Sequence, residues 1–386
     1  MSDYGIGLNG LKFNRNLLHG KGVRLIQEAE DGKLNPQVVP FHKQKGIHTL
    51  LKNSRHKKYF RESANDYEYF SINFPQVILT KNFELVNKIV RTDPSDCRFQ
   101  VMNPATKRIE YCFLSSKWHE GVTHTHESVE ALPVADPLMT AEEVKAWAKK
   151  HKIYKFILPV MDTMVGRKYY PFKAWHAIVG NGWLEVALAV PALKKALFQN
   201  QMSIKYHVEI PEGYWRAKYS VDKWTNYSNS EKDRLRGETL DRINEWLTGV
   251  ENTGKALITF YDVDEMGNEL PQVRITAIDD KMKDGAYIPD TQNANIEILG
   301  SMDIDPTLAG FGFAGSKLGA GSGSDKRTAF NLRTSMKTPD RDVVLEPFDF
   351  AFEYNGYDES LRLAFIDHQL TTLDENPTGK QSVTEG

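Results

Sequence analysis

Apolar positions along this chain change period several times, and each change marks an element. Residues 23–27 read as a short strand, with Glu30-Asp31-Gly32 as the turn that closes it. From about 47 to 69 the spacing becomes helical: Leu50, Leu51, Tyr59 and Phe60, then Tyr67, Tyr69 and Phe70, trace a broken apolar face. Residues 76–118 revert to short alternating runs at 76–80, 86–91, 98–102 and 109–114. Asn103-Pro104-Ala105-Thr106 is a turn sequence, so the last two runs are expected to form an antiparallel hairpin.

After a linker at 133–137, Thr140 with Glu143 has the spacing of a capping box. It opens a helix to about 150 with Val144, Trp147 and Ala148 on one side. A strand at 154–160 and a longer apolar helix at 183–200 follow, and Pro191 should kink or restart that helix. Ile204, Tyr206, Val208 and Ile210 alternate as one face of a strand. Ser230 caps a helix to about 247, with the stripe Leu235, Leu240, Ile243, Trp246 and Leu247, and Gly249 ends it. Strands at 256–263 and 272–277, joined by a turn at 264–268, complete a β-α-β-β module over 203–278. Residues 290–301 read as a helix ended by Asp305 and Pro306. Ser324 or Asp325 caps a further helix that carries Ala329, Phe330 and Met336 and meets Pro339. A short helix is expected near 361–368, and the polar tail from 374 is expected to be disordered. The fold class is therefore α+β.

Composition narrows the function. The chain has 386 residues, long for one core, and its 40% hydrophobic and 26% charged residues are ordinary for a soluble protein. The apolar runs are too short to cross a bilayer and the N-terminus has no export pattern, so no membrane association is expected. Cys97 and Cys112 fit a reducing cytoplasm, and neither has a CxxC partner. Forty-nine basic and 51 acidic side chains give a net charge of −2 with signs mixed almost everywhere. That argues against a tight grip on DNA phosphates, though not against a surface that DNA slides past.

The chemistry-bearing motifs have simpler readings. Gly5-Ile-Gly-Leu-Asn-Gly10 matches GxGxxG but lacks the preceding strand that a dinucleotide site needs. The six-glycine stretch at 310–323 lacks GxxxxGK[ST], so it reads as a long loop of functional or disordered kind. His119, His124, His126 and Glu127 form the densest metal-like group but lack HExxH, and read as a solvated loop. Asp262, Asp264 and Glu265 lie in a hairpin turn that favours Asp by itself, and Asp279 with Asp280 form a second acidic pair. No GxSxG is present. Trp175, Trp183, Trp215, Trp224 and Trp246 read as core and subunit-contact area. No catalytic site, metal or cofactor is expected.

The order of elements in the second half resembles the core of tailed-bacteriophage portal proteins, of the kind carried by phages and prophages of Bacteroides-like bacteria. Leu247-Thr-Gly249 and Glu251-Asn-Thr-Gly-Lys255 before a strand are similar to the entry of the clip. Asn295-Ile-Glu-Ile-Leu299 with Asp305-Pro306-Thr-Leu-Ala-Gly310 is similar to the end of the returning stem helix. The stretch from Gly321-Ser-Gly-Ser-Asp-Lys-Arg327 through Leu345-Glu-Pro347 is similar to the tunnel loop and kinked helix. Tyr59-Phe-Arg-Glu-Ser63, Asp66-Tyr67 and Phe74-Pro-Gln-Val-Ile-Leu79 resemble the outer wing more loosely. The chain departs from the family in its shortness, and no large crown is expected after the kinked helix.

The resemblance implies a wing-like α+β region at 1–180, a stem helix at 181–202 and a clip-like module at 203–278. A second stem helix at 279–305, a tunnel loop at 306–324, a kinked helix with a wing or crown remnant at 325–370 and a tail at 371–386 complete it. It implies a non-enzymatic ring subunit, one of twelve, at the capsid vertex where the genome enters and leaves. The implied partners are other copies of the chain, the major capsid protein, the terminase large subunit, the head-tail adaptor and double-stranded DNA in the channel. The location would be the virion, and the host cytoplasm during assembly. Lys317, Lys326 and Arg327, with Gly319, Gly321 and Gly323, are the candidate channel-loop residues; the cations either touch passing phosphates or belong to a solvated loop and helix start. The alternatives are a nucleotide- or metal-dependent hydrolase and another virion structural protein.

Overall fold

The computed structural model describes residues 4–28, 36–167, 169–201, 206–248, 273–277, 288–305, 308, 323–368 and 370. In chain order, α1 (Gly5–His19) leads to β1 (Val23–Gln27), β2 (Gln37–Val39), α2 (Lys45–Asn53) and α3 (His56–Phe70). Strands β3 (Ile72–Leu79), β4 (Val86–Thr92), β5 (Cys97–Phe99), β6 (Tyr111–Leu114) and β7 (Glu130–Pro133) follow. Next come α4 (Ala141–His151), β8 (Lys155–Ile157), β9 (Val160–Met161), α5 (Ala177–Gly180) and α6 (Trp183–Gln201). Then β10 (Tyr206–Glu209), α7 (Glu212–Tyr219), α8 (Val221–Asn226), α9 (Asn229–Thr248) and β11 (Arg274–Ala277). The chain closes with α10 (Ile288–Ser301), α11 (Gly323–Ser335), α12 (Thr338–Tyr354) and β12 (Leu361–Phe365). The protein is α+β, with small antiparallel sheets.

Two compact units divide the chain: residues 1–190 with 287–386, and residues 191–286. In the first unit β1 lies between β12 and β2, and β3 lies between β4 and β8, with β9 also paired to β3. A third sheet runs β5-β6-β7. The main core packs α2, α3, α4 and α12 against the first two sheets, while the β5-β6-β7 sheet has its own small core with Ile72, Phe74 and Ile157. Its centre is aromatic: Phe348 lies 4.9 Å from Phe60 and 5.2 Å from Tyr59, ring to ring. A smaller core joins α1, α5, α6 and α10 through Leu11, Ile178, Ala187, Ile298 and Met302.

Local sequence explains several of these elements. The Thr140 hydroxyl accepts from Glu143 N and the Glu143 carboxylate accepts from Thr140 N, the reciprocal cap expected of α4; Val144 and Ala148 are buried. The hairpin expected after 98–102 forms as β5 and β6, with Asn103 N bonded to Arg108 O. Helix α6 continues through Pro191 instead of restarting there.

Four expectations are corrected. Residues 361–365 form a strand rather than a helix: Leu361, Leu363 and Phe365 alternate with Arg362 and Ala364, and all five residues pair with β1. The cap of α9 is Ser228, whose Oγ accepts from Glu231 N, so Ser230 lies inside the helix. Ser324 and Asp325 likewise lie inside α11, which starts at Gly323. Pro339 meets no helix interior, because a turn at Met336-Lys337 ends α11 and Pro339 sits in the first turn of α12. Helix α12 then runs through Pro347 to Tyr354.

In the second unit β10 pairs antiparallel with β11, Val208 facing Ile275. Two helices absent from the expected β-α-β-β order, α7 and α8, stack Trp215 on Trp224 at 5.6 Å. Glu212 accepts from Trp224 Nε1 and from Arg236, which closes α7 onto α8 and α9. The expected strand at 256–263, its turn at 264–268, the glycine stretch up to 322, and the acidic groups Asp262, Asp264, Glu265, Asp279 and Asp280 lie outside the described residues. So do the Glu30-Asp31-Gly32 turn and the tail from 374.

Among the described residues no single helix is long and apolar enough to cross a membrane. Residues 174–180 and 183–196 reach that length and apolarity only together, across a 55° bend.

Candidate functional site

Of the candidate channel residues, Gly323, Lys326 and Arg327 stand on the first turns of α11, while Lys317, Gly319 and Gly321 lie outside the described residues. Lys326 and Arg327 are both half-buried, and Lys326 is already engaged with a neighbouring group. What the structure defines closely is the anchoring of the helices on either side of the glycine-rich stretch.

On the upstream side, α10 ends at Ser301, the bound expected from the sequence. It ends in a Schellman turn: Ile304 N bonds Leu299 O at 2.9 Å, Asp303 N bonds Gly300 O at 2.9 Å, and Asp303 takes the left-handed conformation at φ 55°. Buried Ile304 packs in the same core as Leu299, the apolar contact that accompanies this motif. Asn14 of α1 donates to Met302 O at 2.9 Å, and Met302 itself fills the space over Gly10. A Cβ at Gly10 would collide with Met302 Sδ, so Gly10 serves helix packing, while Gly5 meets nothing.

On the downstream side, Arg333 of α11 reaches back to α10. It donates to Met302 O at 3.3 Å and pairs with Asp303 at 3.4 Å, so the last turn of α11 is tied to the residues that end α10. Lys337, in the turn before α12, is 2% exposed and donates to Glu68 of α3 at 2.6 Å and to Asp340 at 2.8 Å. Lys173 donates to the other Asp340 oxygen at 3.0 Å and lies over the Tyr67 ring. Burial pushes the Asp340 carboxyl up, but Lys337 and Lys173 outweigh it and hold Asp340 below the usual carboxylate range. One turn on, Arg341 donates to the carbonyls of Leu17 and Leu18, both at 3.0 Å, and pairs with Asp367. It thereby caps the C-terminal end of α1.

These contacts fix α12 to α3 and α1, the last turn of α11 to the end of α10, and the end of α10 to α1. Buried pairs of this kind contribute specificity of placement more than net stability. No periodic pattern marks them: Lys337 and Glu68 are 269 residues apart, and each alone looks like a surface charge. The other motif residues are dispersed. His124 stacks on Phe113, His126 bonds Ser128, and among the described residues no three metal-ligating side chains converge. Cys97 and Cys112 are free thiols buried on neighbouring strands.

No protein-family model matches the sequence, and no curated protein matches it. Solved structures do. A chain in the virion of a native gene transfer agent (GTA) particle superposes with a TM-score of 0.59 at 13% identity, over 96% of this chain and 83% of that one. A chain in the neck of an empty GTA particle, computed with C6 symmetry, gives 0.58 at 14%, over 96% and 83%. A chain in the neck of a native GTA particle, computed with C12 symmetry, gives 0.55 at 12%, over 96% and 82%. At such identities the likeness establishes a shared fold, extending over nearly the whole chain.

Proposed function

We propose that this chain is the subunit of a closed ring at the neck of a phage-like particle, and that the ring is the portal through which the genome is packaged and released. The observation that carries the reading is the fold match over 96% of the chain to chains of GTA necks, one of them computed with C12 symmetry. The order of elements from α6 through α12 supports it, as does the tie from the last turn of α11 to the end of α10. In this reading α6 and α10 are the stem helices, residues 203–278 the clip, 306–324 the channel loop, and 1–180 the wing. The subunit is structural: it assembles with eleven further copies, contacts the major capsid protein, and offers the clip to the terminase large subunit and later to the head-tail adaptor. Cyclic assembly requires two different complementary surfaces on each subunit. Near-neutral overall charge suits a conduit, since strong phosphate binding resists sliding.

Gold-labelled antibody against the chain tests the location on intact particles. Label at one vertex per particle is expected; label spread over all vertices or confined to a tail tip would contradict the portal reading and favour another virion structural role.

A further inference from the structure

Residues 42–61 hold seven lysine and arginine side chains and no aspartate or glutamate, in a chain whose net charge is −2. The fold puts Lys43 in the turn before α2 and gathers the others on α2, on the turn at Ser54-Arg55 and on the start of α3. Lys45, Lys52, Arg55, Lys57 and Arg61 are all exposed, and among the described residues none of them has an ion pair. The single pair in this stretch is Lys58 with Glu62, at 3.7 Å.

The placement runs against helix electrostatics. The first turn of α3 carries His56, Lys57 and Lys58 and no acid, at the end where the helix field is already positive. A sequence selected for stability alone would put carboxylates there, and a bound anion would relieve the conflict. His56 senses this field. Burial lowers its pKa first, and Lys57, His48 and Arg24 push the same way against a hydrogen bond with Leu51 O; no carboxylate is among the groups that shift it.

Beside this turn lies an open cleft of about 440 Å³. Arg55, Lys58 and Lys88 line it with the polar Asn53, and Glu62 is its one acid. Arg91, also at the cleft, is turned to Asp66 and Asp93. Among the described residues of 42–61 no large apolar side chain is exposed, and the neighbouring Phe41 ring packs edge-on against His56. A protein partner normally needs an apolar anchor, and single-stranded nucleic acid needs aromatic platforms. A cationic surface with neither suits the backbone of a duplex.

We propose that the α2–α3 surface, with the cleft between Arg55, Lys58 and Lys88, binds the phosphodiester backbone of duplex DNA without reading its sequence. This site is distinct from the candidate channel residues and does not depend on ring formation.

The test is fluorescence anisotropy of a labelled 30-base-pair duplex with the full chain, titrated from about 50 to 200 mM salt. The native protein is expected to bind with a steep salt dependence. The triple variant Lys52→Gln/Lys57→Gln/Arg61→Gln, all exposed helix positions, is expected to bind at least tenfold more weakly at low salt. Its log–log salt slope should fall by about 2–3, roughly 0.9 for each lost phosphate contact. A control triple, Lys12→Gln/Lys150→Gln/Lys223→Gln, is expected to leave affinity within about twofold. Equal unfolding temperatures show that the variants remain folded. Absence of duplex binding by the native chain, or equal loss in both triples, overturns the proposal. So does equal affinity for a labelled polyglutamate peptide, which would assign the surface to an acidic polypeptide.

Discussion

Lys337 and Glu68 form a buried ion pair at 2.6 Å, with side chains 2% and 4% exposed, between the turn that opens α12 and the body of α3. Replacing Lys337 by Met leaves the Glu68 carboxylate buried without its counter-charge. A loss of about 3–5 kcal/mol is expected from denaturant titration. Glu68→Leu in addition should restore most of that loss, because a buried pair replaced by apolar side chains is near neutral. If the double variant is as unstable as the single one, Lys337 acts through packing alone.

Two helical glycines are expected to respond with opposite sign. Gly10→Ala forces a methyl into Met302 Sδ and should cost about 1–3 kcal/mol. Gly237→Ala in α9 meets nothing within contact distance, so it should stabilise by about 0.5–1 kcal/mol through helix propensity. Thermal unfolding of the two single variants reads both effects.

Asp349 of α12 is pushed up to about 6, first by burial and then by the neighbouring Asp342 and Glu346, against Arg362. A carboxyl raised in the folded state contributes most favourably at low pH, and that contribution is lost as pH rises from about 4 through 6. Asp349→Asn removes the charge that the fold must hold above pH 6. Because the Asp349 side chain is also solvent-exposed, screening reduces the effect, and the variant should match the native Tm at pH 4 and exceed it only slightly at pH 7.5. A constant offset across that range would show that the effect is not ionisation.

Deleting 311–322 should leave ring assembly intact, because α10 and α11 are held together outside that stretch, by Arg333 on Met302 O and Asp303. Packaging or retention of DNA should fall. Particles that fill normally with the deleted chain would remove the channel role from this stretch.

Much of the fold was legible where short-range periodicity and capping decide it. The Thr140–Glu143 cap, the runs behind β1, β3 and β4, the α2–α3 face and the apolar α6 all follow from neighbouring residues. Elements that depend on distant partners were not legible. Helix α1 was not expected, because Gly5, Gly7 and Gly10 are poor helix formers and only the packing of Met302 over Gly10 uses one of them. β12 looked helical because Leu and Ala favour helices, and only the β1 edge selects the strand. The anchoring residues Lys337, Arg333 and Arg341 carry no local signal. The basic stretch at 42–61 was visible in the sequence, but a whole-chain charge of −2 concealed it.

Electron microscopy of the purified chain, combined with native mass measurement, tests the ring most directly. The expected result is a ring with a central hole and a mass of about twelve chains, following the C12 neck whose fold it shares. A monodisperse monomer or dimer under conditions where the chain is folded would contradict the account.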